Sequence, residues 1–191
     1  MLLDEFLPTF QFNEVHKVQV RASPEKTFAA IKELTWGELS PIVNLLLGIR
    51  ALPARLTGHG EPSMDSRQPM LNSMYAGGFI PLAESSNEIV FGLIGQFWKL
   101  TSAESPHIHS PQEFLAFVDP AFAKVAANLR VCLAAPSLVE CTTETRIDVP
   151  DSTTRKKFGR YWFVISMGSA LIRILWLNAI KHRAEQSRSS T

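Results

Sequence analysis

The stretch FQFNEVHKVQV alternates, with Phe10, Phe12, Val18 and Val20 in one phase and Gln11, Asn13, Lys17 and Gln19 in the other. A period of two predicts a half-buried strand. Two polar residues, Glu14 and His16, fall in its apolar phase. In ASPEKTFAAIKEL, Ser23 can cap, Pro24 takes the first helical position, and Phe28 and Ile31 mark a buried stripe, so a short helix follows. GELSPIVNLLLGIRALPARL predicts a second helix, opened near Ser40 and Pro41 and closed by Pro53. Gly58, Gly60, Pro62 and Pro69 then mark a loop over 57–69, and MLNSMYAGG predicts one or two helical turns ended by Gly77.

Strands come next. FIPLAE and EIVFGLIGQFWKL are separated by the turn SSN, and the second is apolar in both phases, which requires cover on both of its faces. SPHIHSPQEFLAFVDP is irregular, broken by Pro106, Pro111 and Pro120. In AKVAANLRVCLA the odd positions Val125 to Leu133 are the apolar set, and in SLVECTTETRID the set is Val139, Cys141, Thr143, Thr145 and Ile147. These sets share a face only if odd residues pair with odd, as a connection through Ala135, Pro136 and Ser137 allows. In that register Cys132 and Cys141 face opposite sides of the sheet and form no disulfide. The long helix from Asp151 or Ser152 closes the pattern. Strands grouped after helices predict an α+β fold, an antiparallel sheet with helices on one face.

RKKFGRYWFVISMGSALIRILWLNAIKHR has an apolar centre about as long as a bilayer is thick. Arg173 lies inside it, and a central Arg costs about 2.5–3.5 kcal/mol to insert. Basic residues flank both ends, so nothing orients a span. A soluble core helix with no transmembrane span is therefore expected, its stripe formed by Phe158, Trp162, Ile165, Ile172, Trp176 and Ile180. Gly159, Ser166 and Arg173 are read as lying on another side.

A net charge of +1 supplies no field for nucleic acid, and 46% hydrophobic residues suit an enclosed core. The N-terminal MLLDEFLPTF has acids where a secretory signal carries Lys or Arg, so a cytoplasmic protein is expected. Two cysteines make neither a disulfide framework nor a zinc cluster. His107 and His109 form an H-x-H with no third ligand nearby, and no metal or cofactor is expected. Gly92 and Gly95 do not match a phosphate-binding loop; in a strand they are read as permitting a bend or bulge.

The early strand into ASPEKTFAAI, GLIGQFW in the sheet, and TETRID leading into FGRYW, IR and WLNAIKHRAE together resemble the START-like helix-grip superfamily, the SRPBCC group. That group includes the birch pollen allergen, lipid-transfer domains and aromatic polyketide cyclases. The resemblance implies one START-like domain over 1–191, with its core at about 10–186 and a polar tail at 187–191. It also implies a sheet gripping the C-terminal helix, with an apolar cavity between them. The residues expected to line that cavity are Phe12, Phe91, Leu93, Trp98 and Leu129 from the sheet side. Trp162, Ile165 and Ile172 come from the helix, and Thr143 and Arg146 supply polarity.

The expected partner is one small or medium hydrophobic molecule, with room left for a homodimer. Glu14 and His16, two apart on one strand face, are the acid/base candidates for a cyclase, dehydratase or isomerase. Glu144 and Arg146 fall in the outward phase, where a cross-strand ion pair is the plain reading; with the phase inverted, Arg146 becomes a partner for a ligand carboxylate. Basic flanks on the last helix suggest, as a third class, a membrane-surface or protein interaction module.

Overall fold

A computed structural model of the chain describes residues 1–39, 66–99 and 106–186. The expected second helix from residue 40 onward, and the 57–65 part of the expected loop, lie outside them. The elements are α1 (Leu3–Phe6), β1 (Phe12–Val20), α2 (Pro24–Glu33), α3 (Met70–Ala76), β2 (Ile80–Glu84) and β3 (Glu88–Gly95). They continue with α4 (Pro111–Ala116), β4 (Ala123–Ala135), β5 (Leu138–Asp148) and α5 (Ser152–Gln186), while Trp36–Glu38 forms a single 3-10 turn. The fold is α+β: an open antiparallel sheet in the order β1-β5-β4-β3-β2, short helices between its first two strands, and a long C-terminal helix.

Local chemistry sets the boundaries. The Ser23 hydroxyl accepts from the Lys26 amide at 3.3 Å, with Pro24 behind it, to open α2. Asp151 rather than Ser152 opens α5, its Oδ2 accepting from the Thr154 amide at 2.6 Å. α4 is an element the sequence reading passed over as irregular; Ser110 caps it, and the proline that looked like a breaker, Pro111, stands in its first turn.

The β4–β5 register is the expected one, with Val131 opposite Cys141 and Leu133 opposite Val139. Cys141 is fully buried and its thiol is pushed up to about 12 by that burial, while Cys132 faces the other side of the sheet.

Both faces of β3 are covered, as its continuous apolar run requires. On the inner face Ile89 and Phe91 join Val20, Leu129, Val131 and Cys141 beneath α2 and α5. On the outer face Val90 and Ile94 pack with Leu3 and Phe6 of α1 and with Phe114 of α4. Helices thus lie on both faces of the sheet, where the sequence placed them on one. The β3–β4 register runs unbroken through Gly92, so that glycine makes no bulge there. Its role is close approach: a Cβ on Gly92 would sit 2.7 Å from the Phe114 ring and 2.9 Å from Leu82.

Among the described residues α5 alone is long and apolar enough to cross a bilayer. Its inner side is nevertheless apposed to the protein: Phe158, Trp176, Leu177, Ile180 and Ala184 are buried. That arrangement is compatible with a soluble protein.

Candidate functional site

Under the first half of α5 the two layers do not close on each other. They leave a cavity of about 300 Å³, a size at the lower end for small-molecule sites. The sheet supplies Phe91 and Leu93 from β3, Val125 and Ala127 from β4, and Thr145 and Ile147 from β5. The helix supplies Tyr161, Trp162, Ile165, Ser169, Ile172, Arg173 and Trp176, and Trp36, Met70, Met74 and Phe79 close the side. Period two in the strands and steps of three and four in the helix bring these side chains to one space.

Of the residues singled out from the sequence, Phe91, Leu93, Trp162, Ile165 and Ile172 line this cavity. Phe12 and Trp98 lie beside it, packed on Phe158 with ring centroids 5.0 and 5.9 Å away. Leu129 and Thr143 are on the inner face but sealed in core, away from the cavity wall.

Arg146 is elsewhere. It points to the outer face of the sheet, donating to Glu144 at 2.7 Å, to Asp4 at 2.7 Å and to the Leu7 carbonyl at 3.2 Å, with the Phe10 ring 4.9 Å away. The outward phase was right and a cavity role for Arg146 was not. Its charge is held despite burial because two carboxylates raise its pKa above the usual arginine value. The reciprocal effect holds Asp4 below the ordinary carboxyl range, the Arg146 hydrogen bond being the main cause.

Glu14 and His16 do meet. The imidazole Nε2 lies 2.6 Å from Glu14 Oε1, both side chains on the inner face of β1 and largely shielded. Opposite them in register are Thr145 and Thr143, so four polar side chains share one patch of the inner sheet. Glu14 Oε2 and Thr143 Oγ1 are buried there without hydrogen-bond partners. Neither Glu14 nor His16 reaches the cavity wall; only Thr145 joins the patch to it.

The residue that sequence reasoning misplaced is Arg173. It was assigned away from the apolar stripe, yet it lines the cavity and donates to Thr145 Oγ1 on β5 and to Ser169 Oγ at 3.4 Å. Gly159, from the same supposed side, faces the Phe12 ring, 3.7 Å from where a Cβ would stand. The outward face carries Phe163, Val164 and Met167 instead, 83%, 73% and 80% exposed.

His107 and His109 stack with centroids 6.4 Å apart and line a second recess of about 400 Å³, and no cluster of three metal-ligating side chains occurs among the described residues. Compared with protein-family models and with curated proteins, the chain matches none.

Proposed function

We propose that this chain is a START-like binding protein that holds one small or medium apolar molecule between its sheet and α5. The observation that carries this reading is the cavity itself: aromatic and aliphatic side chains wall about 300 Å³ that they do not fill. A concave, mostly apolar space with a few polar groups on its wall is the usual character of a small-molecule site. The acid/base alternative, a cyclase, dehydratase or isomerase worked by Glu14 and His16, has less behind it because that pair stands off the cavity wall.

Native mass spectrometry of the gently purified protein, followed by titration with anilinonaphthalene sulfonate, tests the reading. One apolar molecule per chain, or saturable one-to-one dye binding, is expected, and Leu93→Trp should abolish it by filling the space. Dye binding that Leu93→Trp leaves unchanged, with the variant folded, would refute it.

A second reading is favoured by the bare outward stripe of α5: this helix docks on an anionic membrane surface. Phe163, Val164, Met167, Leu171 and Ile174 are exposed along three turns, and Lys156, Lys157 and Arg160 are exposed on the two turns before them. From Ser152 to Ala184 the helix has no Asp or Glu. Each large apolar side chain buried gains about 1.5–3 kcal/mol, and each cation about 1 kcal/mol at an anionic surface. Cofloatation with phosphatidylserine-containing vesicles is expected, weakened in pure phosphatidylcholine and lost in Phe163→Glu. No flotation, with a dimer in gel filtration that Phe163→Glu dissolves, would assign the stripe to self-association instead.

A further inference from the structure

α5 is anchored near both ends and crosses the cavity between its anchors. Phe158 is buried against Phe12 and Trp98 at one end, and Trp176, Leu177, Ile180 and Ala184 are buried in the main core at the other. From Gly159 to Leu175 no residue of the helix is buried. At roughly 1.5 Å per residue the anchors stand about 27 Å apart along the axis. The cavity lies beneath that span, with Tyr161, Ile165, Ser169 and Ile172 in its helix wall. Near the middle of the span the sequence is SMGS, Ser166 to Ser169. A Cβ built on Gly168 meets no atom within 4 Å among the described residues, so no close approach explains this glycine. In a helix interior glycine makes local opening about four- to fivefold easier than alanine does. Ser166 Oγ donates to the Phe163 carbonyl one turn back at 3.4 Å, a bond that competes with the helix ladder and favours a bend. Gly/Ser pairs are among the few places where helices kink.

An unanchored span, a weakened ladder and the helix wall of the cavity thus fall on the same two turns. We propose that α5 is hinged at Ser166–Ser169 and that bending there opens and closes the cavity. Bending moves Ile165, Ser169 and Ile172 relative to the sheet wall of Phe91, Leu93 and Ala127. With the helix straight, Arg173 fastens the C-terminal side of the hinge to Thr145 of β5. The hinge is a property of the helix alone, whereas the gate it forms rests on the apolar-ligand reading above.

Hydrogen exchange of the purified protein reads the hinge, and stopped-flow mixing with anilinonaphthalene sulfonate reads the gate. The amides of Ala170 and Leu171, whose helical acceptors are the Ser166 and Met167 carbonyls, are expected to exchange about tenfold faster than those of Trp162 and Ile180. Gly168→Ala, for which there is room, should slow exchange at Ala170 and Leu171 about four- to fivefold. The same variant should slow dye association and dye release by about that factor and leave the dissociation constant unchanged. Equal slowing in both directions marks a gate, since a helix that is merely stiffer leaves the dye rates alone. Protection at Ala170 and Leu171 equal to that at Trp162 and Ile180 overturns the hinge. Exchange that responds to Gly168→Ala while the dye rates do not overturns the gate. Should the dye not bind the unmodified protein at all, the apolar-ligand reading and the gate fall together, and the exchange pattern alone decides the hinge.

Discussion

Phe158→Ala is expected to lower the free energy of unfolding by about 3–5 kcal/mol, read as a shift in the midpoint of urea denaturation at unchanged slope. Phe158 is 2% exposed and stands where the first turns of α5 meet the end of the sheet. Its ring centroid lies 5.0 Å from Phe12, 5.9 Å from Trp98, 5.8 Å from Tyr161 and 6.0 Å from Trp162. Ala123, Ile147 and Val149 complete the cluster.

Truncation removes the transfer free energy of the ring and leaves a hole that rigid aromatic neighbours refill badly, which places the cost at the high end of core substitutions. The same side chain lines the cavity under α5, so the hole joins an existing space instead of collapsing. Phe158→Leu should cost less than half as much. A loss below about 1 kcal/mol for the alanine variant would show that α5 is not anchored here.

The outline of this fold is written in periods and parities that one sequence displays. Odd-to-odd pairing of β4 with β5 followed from where the apolar residues fall, and it decided the separation of Cys132 from Cys141. Cover on both faces of β3 followed from its unbroken apolar run, but which segments provide it did not. α1 has four residues and α4 six, too short for periodicity to register. They are held by long-range contacts: Phe114 against Gly92, and Asp4 against Arg146.

That is why Arg146 was offered a ligand when its partner was the N-terminus. Arg173 was misread for a different reason. A helical wheel assigns charge to solvent by default, and this helix has its basic residues at both ends and apolar residues outward in the middle. The available signal was that Arg173 has no polar face to share: Phe163, Met167 and Ile174 occupy it. Glu14 and His16 were located correctly by phase, since β1 partly shields every second residue, while their distance from the cavity depends on strand order.

Glu88→Ala should destabilise the protein by on the order of 3 kcal/mol or more, and should release α1 before the rest unfolds. Glu88 opens β3 and is 3% exposed, a carboxylate on a strand otherwise wholly apolar. Its Oε2 accepts from the Leu2 amide at 2.9 Å, and its Oε1 accepts from the Leu3 amide at 3.3 Å and from Asn128 Nδ2 at 2.7 Å. The first two are the free amides at the start of α1, so the capping carboxylate comes from another element 85 residues away.

Asn128 in turn accepts from the Glu144 amide at 2.9 Å, and the Glu144 carboxylate holds Arg146, which reaches back to Asp4 in α1. Alanine therefore strands three donors beneath α1 and removes its polar tie to β3, leaving the Asp4–Arg146 ion pair, the Arg146–Leu7 carbonyl bond and the packing of Leu3 and Phe6 to hold the helix. Glu88→Gln keeps one acceptor and can still bond Asn128 or an α1 amide, so it should recover about half of the loss. Hydrogen exchange locates the effect: the Leu7 amide, bonded to the Leu3 carbonyl at 3.1 Å, should exchange faster in Glu88→Ala, while the Leu129 amide in the sheet centre keeps its protection relative to global stability. Uniform loss of protection at both positions would mean that α1 and the sheet open as one unit, and the cap would then support the whole fold and not its outer layer alone.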